Sequence, residues 1–459
     1  MNKPVVVERF RPACPPRPKA PPSYWSAMFG AQSRNPINGW PRASFEISHD
    51  SRRLPGFTYH TVNDPELIQQ VLLDKQPSFG KPALMKRLAG RYMGGSVFME
   101  EGEAWRGQRR LMAPTFTPVA VSAFHPIFVD AAQRTADRWA GEAPGVLDVD
   151  AEAVRTTFDV ISRALFSAEH GLGTDEAAEH VENLLASVLR PGAILGGLGW
   201  LDQTRRTRKG RAAEAFLISR LSAFIAARQA DPDPPADFMT QILRAFAADH
   251  PPEAAARMAL SNAVVFLVAG HETTAHALAW TLYLLANDRQ AQAWAAEEAR
   301  DALSGAATPA ETLERLIYLR MVLEEALRLY PPAPRLEREA VCDEELGDLR
   351  IRKGDWVGVW PWLVHRHKAL WRDPDLFDPE NFSPEAKEGR HRFQYIPFGA
   401  GPRICIGAQF AMAEALLALA HWLARYEFDP VPGHKVELFS DMTLKPIGGM
   451  PLRVYERFG

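Results

Sequence analysis

From about Pro126 onward, apolar residues recur at three- and four-residue spacing in segments rich in Ala, Leu, Glu and Arg. That periodicity predicts helix over most of the chain. Period-two alternation is scarcer. It marks "FEISHD", "GFTYHTV" and "LRIRKGDWVGVW", with Lys353-Gly354-Asp355 predicting a hairpin turn in the last. The expected fold is mainly α with a minor β-sheet portion, near the N-terminal end and beside the later helices. One helix is delimited by its chemistry. Thr308-Pro309-Ala310-Glu311 is a capping box with proline at the first helical position, and the apolar rhythm of "ETLERLIYLRMVLEEALRLY" stops at Pro331-Pro332.

The segment 263–286, "AVVFLVAGHETTAHALAWTLYLLA", is long and apolar enough to mimic a membrane span. His271, Glu272, Thr273, Thr274 and His276 stand at its centre, where lipid penalises them most. A long buried helix crossing a large core is the expectation. "HETTAH" misses the zinc-protease spacing by one residue. Its two imidazoles point about 140° apart, so they do not share a face for one metal. What remains is a carboxylate beside a hydroxyl, Glu272 and Thr273. Gly270, one turn before, leaves room for something flat against the backbone. A satisfied polar kink is the other reading of the same residues.

Composition narrows the class. The chain has 459 residues, a formal net charge of -3 and an apolar share of 46%. This is an ordinary globular profile with nothing to recruit nucleic acid. The basic run 205–211 reads as a solvated face. Cys14, Cys342 and Cys405 are scattered and odd in number, which argues against disulfides and cysteine-rich zinc, and for a reducing, cytoplasmic setting. Residues 1–30 read as a proline-rich arm without an apolar run for a signal or membrane anchor.

Cys405 lies in "FGAGPRICIG", just before the apolar helix pattern "AQFAMAEALLALAHWLARY". Gly399, Gly401 and Gly407 permit unusual backbone angles, so that N–H groups turn toward one sulfur. The helix start behind it adds positive potential. Both favour a thiolate suited to haem iron; a buried structural cysteine is the bland reading.

That loop resembles the haem-binding loop of the cytochrome P-450 family at every fixed position: Phe398, Gly399, Gly401, Arg403, Cys405 and Gly407. Three further motifs follow the family's order. "WRGQR" (Trp105 to Arg109) is similar to the Trp-x-x-x-Arg that touches the haem propionates. "AGHETT" (Ala269 to Thr274) resembles the oxygen-activation motif, and "EALR" (Glu325 to Arg328) the structural Glu-x-x-Arg pair. "FDPENF" departs from the family's Phe-x-Pro-x-Arg-Phe, placing Asn381 where the third network member is an arginine.

The resemblance implies a single catalytic domain over residues 31–459. Haem b would lie between the long central helix and the helix of the cysteine loop. It implies Cys405 as the iron ligand; Trp105, Arg109, Arg403 and one of Arg335 and Arg338, with Arg338 preferred, at the propionates; and Phe398, Gly407, Ala269 and Gly270 around the ring. Thr273 and Glu272 become the catalytic alcohol and acid. The implied reaction is insertion of one oxygen atom of O2 into a hydrophobic small molecule. Electrons would come from a ferredoxin or flavodoxin with its reductase, since the chain is too short to append a reductase domain after residue 459. A peroxide-using, isomerase or dehydratase relative, or a haem sensor, is the alternative on the same fold. The substrate pocket is expected from 80–98, 189–201, Phe266, Ala269, 332–336 and 447–450.

Overall fold

The computed structural model describes residues 9–21, 35–167, 171–188, 200–440 and 442–457. Its axis is the central helix Pro252–Ala286, 35 residues and thus roughly 50 Å long. Proline at its first position and Asn287 at its end delimit it. From Ala263 to Val268 and from Thr274 to Ala286 every residue is buried. It is the one helix among the described residues long and apolar enough to cross a membrane. Two of its central groups are bonded within the protein. His271 Nδ1 lies 2.9 Å from the Leu267 carbonyl, and Thr157 donates to the His271 carbonyl at 2.9 Å.

Two apolar clusters share this helix. One gathers its C-terminal half, the helix Ile317–Leu329 and much of the helix Ala408–Arg425. The other gathers its N-terminal half with the helices Val149–Phe166 and Phe238–Asp249.

The strands are β1 (His49–Leu54), β2 (Phe57–Val62), β3 (Phe79–Gly80), β4 (Gly145–Asp148), β5 (Leu336–Ala340), β6 (Glu344–Leu346), β7 (Leu349–Ile351), β8 (Trp356–Val359), β9 (Tyr426–Pro430), β10 (Leu438–Ser440), β11 (Leu444–Pro446) and β12 (Pro451–Glu456). The largest sheet runs β1-β2-β8-β5-β3, antiparallel except for the β2–β8 pair.

Three expectations are corrected. Lys353-Gly354-Asp355 does turn, with Gly354 at φ +87°, but it closes no hairpin. β7 pairs with β6, while β8 runs between β2 and β5. Asp355 explains this, because its carboxylate accepts from Thr58 N at 2.7 Å and ties the turn to β2. In "FEISHD" the first residue closes a 3-10 turn, Arg42–Phe45, and the strand begins only at His49. The helix after Thr308 is broken at Leu316 (ψ 72°) into Pro309–Arg315 and Ile317–Leu329. There the Glu298 carboxylate accepts from the N–H groups of Ile317, Tyr318 and Leu319 at 3.0, 2.7 and 2.8 Å, an N-cap supplied from another helix. The cap at Thr308 stands as read, accepting from Glu311 N at 3.2 Å.

The described part of the arm, 9–21, is fastened to the body. Phe377 N donates to the Phe10 carbonyl at 2.9 Å, Tyr330 to the Ala13 carbonyl at 2.8 Å, and Arg17 to Asp375 at 3.0 Å.

Candidate active site

A cavity of about 380 Å³ lies between the central helix and the start of the helix Ala408–Arg425. Its walls are mostly apolar and include Phe98, Ile161, Val265, Phe266, Leu323 and Pro332.

The cysteine loop forms one side. Gly399 and Gly401 hold φ +71° and +69°, left-handed angles closed to most residues. At Gly401 a Cβ would stand 2.0 Å from the Leu72 carbonyl oxygen, so the loop presses on its neighbour there. Gly407 has an ordinary φ of -87°, so only two of the three expected glycine angles occur. Cys405 N donates to the Phe398 carbonyl at 2.9 Å, and Cys405 lines the cavity. Burial pushes its thiol up; the Gly407 N–H and Arg109 oppose this without winning. The thiolate that the loop N–H groups and the helix start were expected to favour therefore needs a further positive partner, and the cavity is where one fits.

At one edge stand four cations: Lys81, Arg109, Arg338 and Arg403. Arg403 donates to the Glu100 carbonyl at 2.8 Å and lies 4.4 Å from the Trp105 ring centre. Arg338 is buried and its Nε has no partner among the described residues. Burial first, and then Arg338 and Arg403, push Lys81 down to about 7. Glu101 is the acid that offsets this cluster, through its attraction to Lys81, Arg338 and Arg403. Glu101 is already paired to Lys86 at 2.7 Å, and this surplus of positive charge, with an orphaned guanidinium nitrogen, fits the two propionates of haem. Arg338 lines the cavity, while Arg335 turns to Glu337 at 3.6 Å, which separates the two candidates. Lys81 was missed, because nothing in "SFGKP" marks a lysine that lines a cavity.

The central helix supplies Ala269, Gly270, Thr273 and Thr274 to the opposite side. Thr273 donates to the Ala269 carbonyl at 2.8 Å. A Cβ on Gly270 would stand 2.8 Å from Ile161 Cδ1, so this glycine makes room for the helix Val149–Phe166. The expected space for a flat ligand at that Cβ is corrected accordingly. Glu272 does not line the cavity. It turns instead to Lys445 at 3.1 Å and His276 at 3.5 Å, and these cations hold its carboxyl well below the usual range despite burial.

Glu325 and Arg328 are wholly buried and doubly bonded, and lie outside the cavity lining. Asn381 Nδ2 reaches the Glu325 oxygens at 3.3 and 3.4 Å, occupying the third position of the network without charge. Arg390, missed in the sequence, donates to the Asn381 carbonyl, and its guanidinium lies 4.6 Å from the Trp371 ring centre. Of the expected substrate lining, 80–98, Phe266, Ala269 and 332–336 contribute. The stretch 189–199 lies outside the described residues. The turn 447–450 does not line the cavity, because Met450 N is pinned to Asp148 at 2.8 Å.

The family model described as cytochrome P-450 matches residues 53–451. The chain is 32% identical to cyclooctatin synthase of Streptomyces melanosporofaciens, over 83% of each chain. It is 30% identical to a cytokinin hydroxylase of Arabidopsis thaliana, over 85% of this chain and 77% of the relative. A crystal structure of the heme domain of a cytochrome P-450DA mutant superposes with a TM-score of 0.78 at 27% identity, covering 90% of each chain.

Proposed function

The chain belongs to the cytochrome P-450 family of haem b oxidoreductases that incorporate oxygen, and from that premise we propose that it inserts one oxygen atom of O2 into a hydrophobic small molecule held in the cavity described above. The observation that carries this is the pairing of opposite sides. Cys405 lines the cavity from one, and Thr273 lines it from the central helix, between apolar walls.

Haem b, when bound, supplies the redox chemistry of oxygen activation. The chain's residues do the rest. Cys405, which lines the cavity, would be the iron ligand. Lys81, Arg109, Arg338 and Arg403, with the Trp105 indole, would hold the propionates and so fix the ring's orientation. Phe398, Gly407 and Ala269 line the cavity where the ring would lie, and Gly270 lines it without leaving Cβ space for the ring. Phe98, Val265 and Phe266 exclude water and favour an apolar substrate. The Thr273 hydrogen is engaged by the Ala269 carbonyl, which leaves its oxygen to accept from a water in the cavity. Glu272, beside it on the helix, exchanges protons from outside the cavity.

A ferredoxin or flavodoxin with its reductase is proposed as the electron donor. Arg106 and Arg110 are exposed on the helix Gly102–Met112 that carries Arg109. Their neighbours Glu103 and Asp249 are ones an acidic partner would compete with. We assign residues 31–459 to one catalytic unit. A reducing, cytoplasmic setting is supported by three free cysteines.

The reading is tested by supplying the haem-loaded protein with reduced ferredoxin, isotopically labelled O2 and a panel of apolar compounds that shift its spin state. One labelled oxygen atom in the product is expected. Product whose added oxygen comes from water or peroxide would overturn it.

A further inference from the structure

Behind Thr273 the central helix carries a second group of titratable side chains that the role of Thr273 leaves unused. Glu272 is turned about 100° around the helix from Thr273, away from the cavity. One turn on, His276 is 3% exposed in its side chain. Its Nδ1 lies 2.8 Å from Asp150 Oδ1, on the first turn of the helix Val149–Phe166. Its Nε2 lies 3.5 Å from Glu272 Oε1, a charge pair rather than an aligned hydrogen bond. From β11, Lys445 Nζ reaches the same Oε1 at 3.1 Å. One more carboxylate approaches: Glu182, on the helix Asp175–Val188, is pushed up by burial and then by Glu272, against the pull of Lys445. His271 adds little charge, since burial pushes it down.

Both imidazole nitrogens of His276 therefore face carboxylates. A neutral ring donates from one nitrogen and turns a lone pair on the other acid, whereas an imidazolium suits both. Against the cost of burial, Asp150 and Glu272 raise His276 to about 9. With His276 charged, Asp150 and Glu272 balance His276 and Lys445. Without it, Glu272 keeps Lys445 while Asp150 faces an uncharged ring. Both cations sit on Oε1 of Glu272, which leaves Oε2 to water, and this side chain is 13% exposed.

We propose that His276 is a positioning residue for proton delivery: a buried cation clasped between Asp150 and Glu272 that holds the Glu272 carboxylate behind the cavity, one residue before Thr273, with one oxygen committed and the other free to exchange protons. The role rests on the monooxygenase reading, and its test separates the two. Peroxide released per product formed is measured against pH for the haem-loaded wild type, His276→Gln and Asp150→Asn. Histidine-labelled holoprotein in its diamagnetic carbon-monoxide form is titrated by nitrogen NMR alongside.

His276 should stay doubly protonated up to about pH 9, and wild-type coupling should fall as pH rises through that value. His276→Gln should keep the carbon-monoxide band and KM, raise the peroxide-to-product ratio about tenfold at neutral pH and lose the inflection. Asp150→Asn should move the inflection to lower pH. A wild type that forms no oxygenated product fails the functional reading, and this role with it. A coupled wild type whose ratio and pH profile survive His276→Gln overturns this proposal alone. So does a His276 that titrates near 6.5 in wild type, a result that does not depend on any variant folding.

Discussion

Arg328 donates from Nε and Nη2 to the two carboxylate oxygens of Glu325, at 2.6 and 2.7 Å, and neither side chain is exposed at all. The remaining donors are not idle. Nη1 reaches the carbonyls of His365 and Pro374 at 2.7 and 2.8 Å, and Nη2 that of Leu376 at 3.0 Å. Glu325 in turn accepts from Asp378 N at 2.8 Å. One guanidinium thus ties the segment 365–378, which carries no long element of its own, to the helix Ile317–Leu329.

Removing one partner leaves a buried charge uncompensated, so Arg328→Ala should lose about 3–5 kcal/mol of stability and yield little haem-loaded protein. Arg328→Lys should fail nearly as badly, because a point charge cannot replace five fixed donors. Denaturant melts and haem content check this. Wild-type values in Arg328→Ala would mean that the pair is not the fastening.

The i,i+3 spacing of this pair was legible in the sequence, but its burial was not. Leu323, Ala326 and Leu327 fit a half-exposed helix equally well, and only the three carbonyls of residues 365–376 make it interior. The cysteine loop was legible because glycines at left-handed angles leave a local signature. Lys81 and Arg390 were not, since each takes its meaning from residues far along the chain. The side of the helix that Glu272 occupies was equally hidden. Adjacency to Thr273 does not say which face it takes, and Lys445 and His276 draw it away from the cavity. The break at Leu316 escaped for the same reason: its cap is Glu298, on another helix.

Gly401 gives a sharper test of the loop. Its φ is +69°, and an added Cβ would meet a backbone oxygen, Leu72 O, that has no rotamer to yield. Gly401→Ala should cost more than about 2 kcal/mol and lower haem content, while Gly433→Ala, with open space at its Cβ, costs only the strain of its positive φ. Equal haem content in the two variants would contradict the tight packing at 401.

His276 also makes stability depend on pH. Its folded value, about 9, lies above its ordinary 6.5. The contribution is therefore complete below pH 6.5 and is lost as pH rises through 9. Integrated over that window it amounts to about 3 kcal/mol. Melting should drop between pH 6.5 and 9.5 in wild type by more than in His276→Gln; superimposable profiles would place the neutral imidazole in the folded state.

Thr273→Ala should keep the haem spectrum and continue to consume reductant. Without the hydroxyl to order a proton donor in the cavity, it should release severalfold more peroxide per product formed. Reductant, peroxide and product counted together decide this. Wild-type coupling would make Thr273 a packing residue.

The central claim is that Cys405 ligates haem iron as a thiolate, and the carbon-monoxide spectrum of the reduced holoprotein tests it most directly. Wild type should show the strongly red-shifted Soret band that a thiolate ligand gives. Cys405→Ala should lose that band, and Cys405→His should show the shorter-wavelength band of an imidazole ligand. A wild type with the imidazole-type band, or a Cys405→Ala variant that keeps the red-shifted one, would contradict the assignment.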